Sequence, residues 1–174
     1  MTSLLTVPHQ HWDFAGIDGL QVAKILFGDA VGHLSPFQSM ETILEAATPQ
    51  HCSVLRLCEG NFRVNWRGNP ESFQQRINAA QTGQRVWVKQ LPWLRAFFLT
   101  EAFGCRYLPK VAAPKPPHRL PLPLNCAIPA RVDGQSVLIW HHSIQNQPMF
   151  EVQTATTHIR DIQSILQVIE KGNL

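Results

Sequence analysis

Residues 53–67 read SVLRLCEGNFRVNWR, and their pattern decides the fold class. In the second half of this stretch the apolar Phe62, Val64 and Trp66 alternate with polar residues. A period of two is typical of a strand with one buried and one solvated face. The turn formers at 59–61 join this strand to the preceding one, 53–58, through a three-residue loop. The stretch therefore predicts an antiparallel hairpin.

A second hairpin is predicted near the C-terminus. Asp133-Gly134, a strong signal for a tight turn, separates two apolar stretches at 128–132 and 136–141. Residues 149–153 add a third strand, and residues 85–89 form a short strand elsewhere in the chain.

Apolar residues at helical spacing predict five helices. Proline in the first turn, a capping residue before it, or glycine at the end marks most of their boundaries. The predicted helices begin and end near residues 19–27, 35–47, 69–83, 92–103 and 157–171. The fourth is rich in aromatic residues, and Thr157 is the expected cap of the last.

Hairpins interspersed with helices indicate an α+β fold, in which antiparallel β-hairpins pack against several helices and a C-terminal amphipathic helix. Seven prolines between 109 and 129 exclude a helix or an inner strand there. We therefore expect an N-terminal α+β portion at 1–108, a proline-rich connection at 109–127 and a C-terminal ββ(β)α portion at 128–174, together forming one compact unit.

The composition excludes several classes of protein. A net charge of +3 and a charged fraction of 16% do not predict a strongly nucleic-acid-binding surface. The four cysteines lack C-x-x-C spacing, which argues against a zinc ribbon or a thioredoxin-like site. The N-terminal residues lack a basic start and an apolar run, and no apolar stretch is long enough to span a bilayer. We therefore expect a soluble, cytoplasmic protein that does not bind membranes.

The main functional hypothesis is a non-enzymatic protein–protein interaction module, an adaptor or small subunit of a larger assembly. Nucleophile elbows, phosphate loops and dinucleotide fingerprints are missing, so no catalytic residue and no cofactor is indicated. Aromatic side chains are favoured in interfaces. The predicted aromatic helix therefore supplies the candidate partner-binding residues, Trp93, Phe97, Phe98 and Phe103. The expected partner is another protein chain or a second copy of this one.

Two alternatives stay open. A nucleic-acid-binding accessory protein would use cations on the first hairpin and the short strand, namely Arg56, Arg63, Arg67, Arg85 and Lys89, and would bind weakly. A small enzyme or metal protein would use histidines. His9, His11 and Asp13 share one side of an extended chain and suit a transition metal, and His141 is a further candidate member of such a site.

Overall fold

A computed structural model describes residues 4–5, 10–44 and 49–171. Its strands are β1 (Leu4–Leu5), β2 (Gln10–Gly16), β3 (Ser39–Ile43), β4 (His51–Cys58), β5 (Asn61–Trp66), β6 (Val86–Gln90), β7 (Leu94–Thr100), β8 (Ala112–Pro114), β9 (Cys126–Val132), β10 (Gln135–Ile144) and β11 (Gln147–Ala155). Its helices are α1 (Gly19–Phe27), α2 (Pro70–Gln81), α3 (Glu101–Val111) and α4 (Ile159–Glu170). The fold is α+β, with antiparallel sheets and a C-terminal helix, as the sequence predicts. No helix in these residues is long and apolar enough to cross a membrane.

The chain divides into two compact units. The N-terminal unit ends at Pro92, and the C-terminal unit begins at Trp93 and also includes β1. The proline-rich stretch 109–127 lies inside the C-terminal unit, and its role as a connection stays a prediction. The expectation that the prolines at 109–129 exclude a helix or an inner strand is wrong, because Pro109 lies in α3 and Pro129 lies in β9, which pairs with both β10 and β8.

The N-terminal unit is an antiparallel sheet in the strand order β3-β4-β5-β2-β6. The hairpin predicted from residues 53–67 is confirmed as β4 and β5. Phe62, Val64 and Trp66 are fully buried on one face, where residues of α1 and α2 complete the core. Helix α2 begins as expected, because the Asn69 side chain accepts hydrogen bonds from two N–H groups of its first turn.

Three glycines let two turns of this unit approach each other closely. Gly16 is the last residue of β2 and Gly19 the first of α1, on either side of one turn, and Gly60 lies in the turn between β4 and β5. The Gly16 N–H donates to the Gly60 carbonyl over 3.3 Å. A Cβ added at Gly19 would overlap that same carbonyl oxygen. Glycine is therefore required at 19 because the backbone there lies directly against the backbone of Gly60, which leaves no room for a side chain.

The C-terminal unit is an antiparallel sheet in the strand order β1-β7-β11-β10-β9-β8. Helices α3 and α4 cover one face, and both contribute to the apolar core there. The predicted hairpin is confirmed as β9 and β10, with Asp133 and Gly134 both at positive φ in the turn. The predicted final helix is confirmed as α4, although His158 and not Thr157 occupies its N-cap position.

The predicted helix at 35–47 is wrong. Its capping interaction forms, since the Ser35 N–H donates to Oε1 of Gln38 over 2.9 Å. Phe37 then takes a φ of 63°, which ends the turn. The Phe37 N–H donates to the Arg56 carbonyl, and the Arg56 N–H donates to the Gln38 carbonyl, so the chain joins β4 and continues as β3. Residues 45–48 lie outside the described part.

The predicted aromatic helix at 92–103 is also wrong, because most of it is strand β7. This strand is buried on both faces. Phe97 belongs to the core under α3 and α4, whereas Phe98 packs with Ala96, Ile144 and Met149. Helix α3 begins only at Glu101, where the Thr100 hydroxyl oxygen accepts a hydrogen bond from the Phe103 N–H over 3.4 Å.

Candidate functional site

The four aromatic residues predicted to bind a partner do not share a surface. Phe97 and Phe98 are consecutive in β7 and point to opposite faces, where both are buried. Phe103 is buried in α3. Trp93 is 50% exposed, and its carbonyl accepts hydrogen bonds from the N–H and hydroxyl of Thr156. Trp93 is thus the member of this set that offers a large apolar surface, and its binding role stays a prediction.

The hairpin arginines proposed to bind nucleic acid do not form one exposed face. Arg56 donates to the carbonyl oxygens of Leu34, Cys58 and Glu59 over 2.6–3.3 Å. These contacts fix its guanidinium beside the β4–β5 turn. The Arg56 guanidinium is therefore already hydrogen-bonded to backbone carbonyl oxygens. The nucleic-acid alternative stays a prediction.

Arg63 and Arg67 lie on the face of the N-terminal sheet opposite the apolar core, where each forms an ion pair. Two nitrogens of Arg63 contact the two carboxylate oxygens of Asp13, each over 2.7 Å. Arg67 donates from Nη2 to Glu41 and to the Ser53 hydroxyl, both over 3.3 Å. Asp13 and Arg63 are direct neighbours in the β2–β5 register, which explains why their forked groups meet.

The predicted metal site is only partly described, since His9 lies outside the described residues. His11 and Asp13 share one side of β2, as the period of two predicts. His11 is buried, and both oxygens of Asp13 contact Arg63. Within residues 10–44 and 49–171, no group of three His, Cys, Asp or Glu side chains could hold a metal ion. Metal binding stays a prediction.

His141, the further histidine candidate, lies in the core of the C-terminal unit. Its Nδ1–H donates to the Leu122 carbonyl over 2.9 Å, and its ring stacks on Phe150 with centroids 4.1 Å apart. Nε2 lies 3.3 Å from Oε1 of Glu101. His11 belongs to the N-terminal unit, so a site joining these histidines stays a prediction.

A buried polar group on the other face of the same sheet was not predicted. Nε2 of His142 lies 2.8 Å from Oε2 of Glu151, and Nε2 of Gln153 donates to Oε1 of Glu151 over 2.8 Å. The ring of Trp140 stacks on His142 with centroids 4.0 Å apart. All four side chains are buried. We call His142, Glu151 and Gln153 the buried triad.

The geometry of the buried triad favours a structural role over catalysis. Both carboxylate oxygens of Glu151 are engaged, and its side chain has no exposed surface. A general acid or base needs access to a substrate proton. A buried polar network with satisfied partners instead fixes one arrangement of its strands. Here the triad ties β10 to β11.

The environments of three cysteines, Cys52, Cys105 and Cys126, raise their pKa and so suppress thiolate formation. Burial raises the pKa of Cys52 strongly above its ordinary value. Burial also raises the pKa of Cys105, to which the nearby Glu101 carboxylate adds, and the pKa of Cys126. A raised pKa means that more of the thiol stays protonated at neutral pH, and the protonated thiol is a poor nucleophile.

Thiol labelling is expected to separate the cysteines by environment. In the native protein at pH 8, iodoacetamide should modify the exposed Cys58 more than about tenfold faster than the buried Cys52. Mass spectrometry of the labelled peptides measures both rates. Cys58→Ser should remove the labelling of its own peptide and leave that of the exposed Cys105, and urea should expose Cys52. Equal native rates for the two thiols would contradict this expectation.

Strand β6, at the end of the N-terminal sheet, carries the most exposed tryptophan among the described residues. Trp87 is 54% exposed and lies opposite Ala15 of β2. Arg85 and Lys89 stand two residues before and after it. The sequence predicted the strand and both cations, but it did not single out Trp87. The available signal was the position of Trp87 in this strand, because the period of two places it on the same face as Arg85 and Lys89.

Comparisons with known proteins identify the fold. No family model and no curated protein matches the chain. It is similar to the glycine cleavage system aminomethyltransferase T from Bartonella henselae, with a TM-score of 0.71, 15% identity, and coverage of 91% of this chain and 43% of that chain. It is also similar to a chain of the heterotetrameric sarcosine oxidase from Corynebacterium sp. U-96, in complex with pyrrole 2-carboxylate, with a TM-score of 0.65, 13% identity, and coverage of 97% and 83%. At these identities the likeness shows the fold alone.

Proposed function

We propose that this chain is a non-enzymatic subunit of a larger protein assembly, with binding of other protein chains as its role. The observation that carries the proposal is the match to a chain of a heterotetramer, which extends over 97% of this chain and 83% of that one. The two chains therefore resemble each other over most of their lengths. The aminomethyltransferase is different, because this chain spans only 43% of it.

The chemistry of the described side chains supports the same proposal. The carboxylates of Asp13 and Glu151 have both oxygens engaged within the protein. Cys52 is buried with a raised pKa. The exposed Trp87 and Trp93 are, in contrast, residues of the type that dominates binding energy at protein interfaces.

The assembly can be tested by comparing the protein from its native cells with the isolated chain. We expect the endogenous protein, tagged at its own locus, to elute from size exclusion at a larger mass than the purified recombinant chain. Light scattering and mass spectrometry should give a partner in fixed stoichiometry. Elution of both preparations at the monomer mass would contradict the proposal.

A further inference from the structure

Among the described residues, strand β6 has a neighbouring strand on one side of its backbone only. It ends the strand order of the N-terminal sheet and pairs there with β2. The Leu91 N–H donates to the His11 carbonyl over 2.8 Å, which makes these two residues a hydrogen-bonded pair. Hydrogen-bonded and non-hydrogen-bonded pairs alternate along an antiparallel ladder. Trp87 and Lys89 therefore direct their peptide groups toward β2.

The peptide groups of Val86, Val88 and Gln90 point the opposite way, out of the sheet edge. They offer three N–H donors and three carbonyl acceptors at the spacing of a strand. Among the described residues, no backbone hydrogen bond formed outside the helices and strands involves Val86, Val88 or Gln90. Such an edge is a template for an added strand from another chain.

The side chains along this edge make it cationic around an apolar centre. Trp87 lies between Arg85 and Lys89 on the face opposite the core. The Arg85 side chain is 76% exposed, and Oδ2 of Asp18 accepts hydrogen bonds from its Nε over 3.2 Å and from its backbone N–H over 2.7 Å. No ion pair of the described residues involves Lys89, and the carboxylate opposite it, Asp13, is engaged by Arg63.

A lysine on an edge strand also occurs in proteins that avoid pairing. Trp87 is what distinguishes this edge, because protection by charge does not require a half-exposed indole in the middle of the strand. An incoming strand would place one side chain directly against that ring in a non-hydrogen-bonded pair, in which side chains approach most closely.

The charges favour a different chain over a second copy. Antiparallel pairing of two β6 strands that brings the two Trp87 rings together also places Arg85 of each copy opposite Lys89 of the other. Like charges directly opposite each other destabilise a strand pair. An acidic residue at each of these two positions, with an apolar residue between them, would instead match all three side chains.

We propose that β6 binds an extended acidic segment of a partner protein as an added strand, with the pattern acidic–x–apolar–x–acidic against Arg85, Trp87 and Lys89. This inference deepens the proposed function and depends on it for the existence of a partner. The outward peptide groups of Val86, Val88 and Gln90 supply the backbone hydrogen bonds. The side chains supply the selectivity.

The first experiment uses the purified chain and a labelled peptide, acetyl-TDTLTET-amide, in anisotropy titrations. Gln90→Pro removes an outward N–H from an exposed position, so it should block strand addition without loss of core packing. We expect Gln90→Pro and Lys89→Glu each to weaken binding at least about tenfold, a difference of about 1.4 kcal/mol. Gln90→Ala and the charge reversal Lys171→Glu, in the C-terminal unit, are the matched controls.

Three outcomes would overturn the strand proposal. In the first, a control peptide with both acidic residues replaced by lysine binds the wild-type chain as tightly as the acidic peptide does. In the second, the Gln90→Pro variant binds the acidic peptide as tightly as the wild type does. In the third, the wild-type chain forms a dimer that Gln90→Pro dissociates. Melting temperatures of all variants verify folding. The second experiment repeats the variants in the endogenous complex. If the complex still forms with these variants, the strand proposal is contradicted and the proposed function stands. If the wild-type protein forms no complex, the proposed function is contradicted, and the peptide titration still tests whether β6 binds an acidic strand.

Discussion

Replacing Glu151 with alanine is expected to lower the free energy of unfolding by about 2–6 kcal/mol, because two buried N–H groups would each lose an acceptor at a cost of about 1–3 kcal/mol. Glu151 has no exposed surface, and its two carboxylate oxygens lie 2.8 Å from Nε2 of His142 and Nε2 of Gln153. Alanine removes both acceptors, and two buried N–H groups lose these partners. Urea unfolding followed by far-UV circular dichroism measures the loss.

Two further variants separate this effect from a general cost of losing a glutamate. Glu151→Gln keeps one acceptor oxygen and should lie between wild type and Glu151→Ala. Glu59→Ala removes an exposed carboxylate from the β4–β5 turn and should change the stability by less than about 0.5 kcal/mol. Equal unfolding midpoints for Glu151→Ala and Glu59→Ala would show that the buried triad does not stabilise the sheet.

The elements that the sequence predicts well are those whose signal is local. Strand β5 has one apolar and one polar face, so the period of two in the sequence is also the period with which its apolar side chains reach the core, although Asn65 on the polar face is buried as well. Asn69 caps α2 through its own neighbouring N–H groups. Asp133 and Gly134 adopt the positive φ angles that their tight turn requires. None of these features depends on a distant part of the chain.

Strand β7 could not be predicted from its local sequence pattern. Phe97 and Leu99 belong to one buried cluster, and Ala96 and Phe98 to another, so apolar residues run without alternation. A short continuous apolar stretch does not distinguish a doubly buried strand from a buried helix. The pairing with β11 decides between them, and that partner lies about fifty residues further along the chain. Strand β3 was missed for a different reason, the positive φ of Phe37.

The site residues were harder to predict than the fold. The sequence correctly predicts that His141 and His142 point to opposite faces of a strand. It does not predict the partner of His142, because Glu151 lies on the next strand. The register that brings them together follows from the tight turn at Gln145 and Asn146, both at positive φ. Buried polar pairs of this kind depend on register, which composition does not reveal.

A second large effect is expected for Gly104→Ala, which should destabilise the fold by about 3 kcal/mol, the upper part of the usual range for overpacking. Gly104 is buried within α3, and an added Cβ would overlap the ring of Phe150. Phe150 is fully buried and stacked on His141, so its ring has little room to move. The clash outweighs the preference of a helix for alanine over glycine, which is about 1 kcal/mol.

A double-mutant cycle tests whether the ring of Phe150 causes this loss. Phe150→Leu removes the aromatic ring, so in that background Gly104→Ala should cost less than about 1 kcal/mol, with a coupling energy near 2 kcal/mol. The matched control is Gly134→Ala, where no atom lies within 4 Å of an added Cβ and φ is +77°. It should cost about 1 kcal/mol from backbone strain alone in both backgrounds. Urea midpoints of the single and double variants measure the cycle. Additive losses for Gly104→Ala and Phe150→Leu would mean that the helix accommodates the methyl group by shifting and that Phe150 does not require glycine at this position.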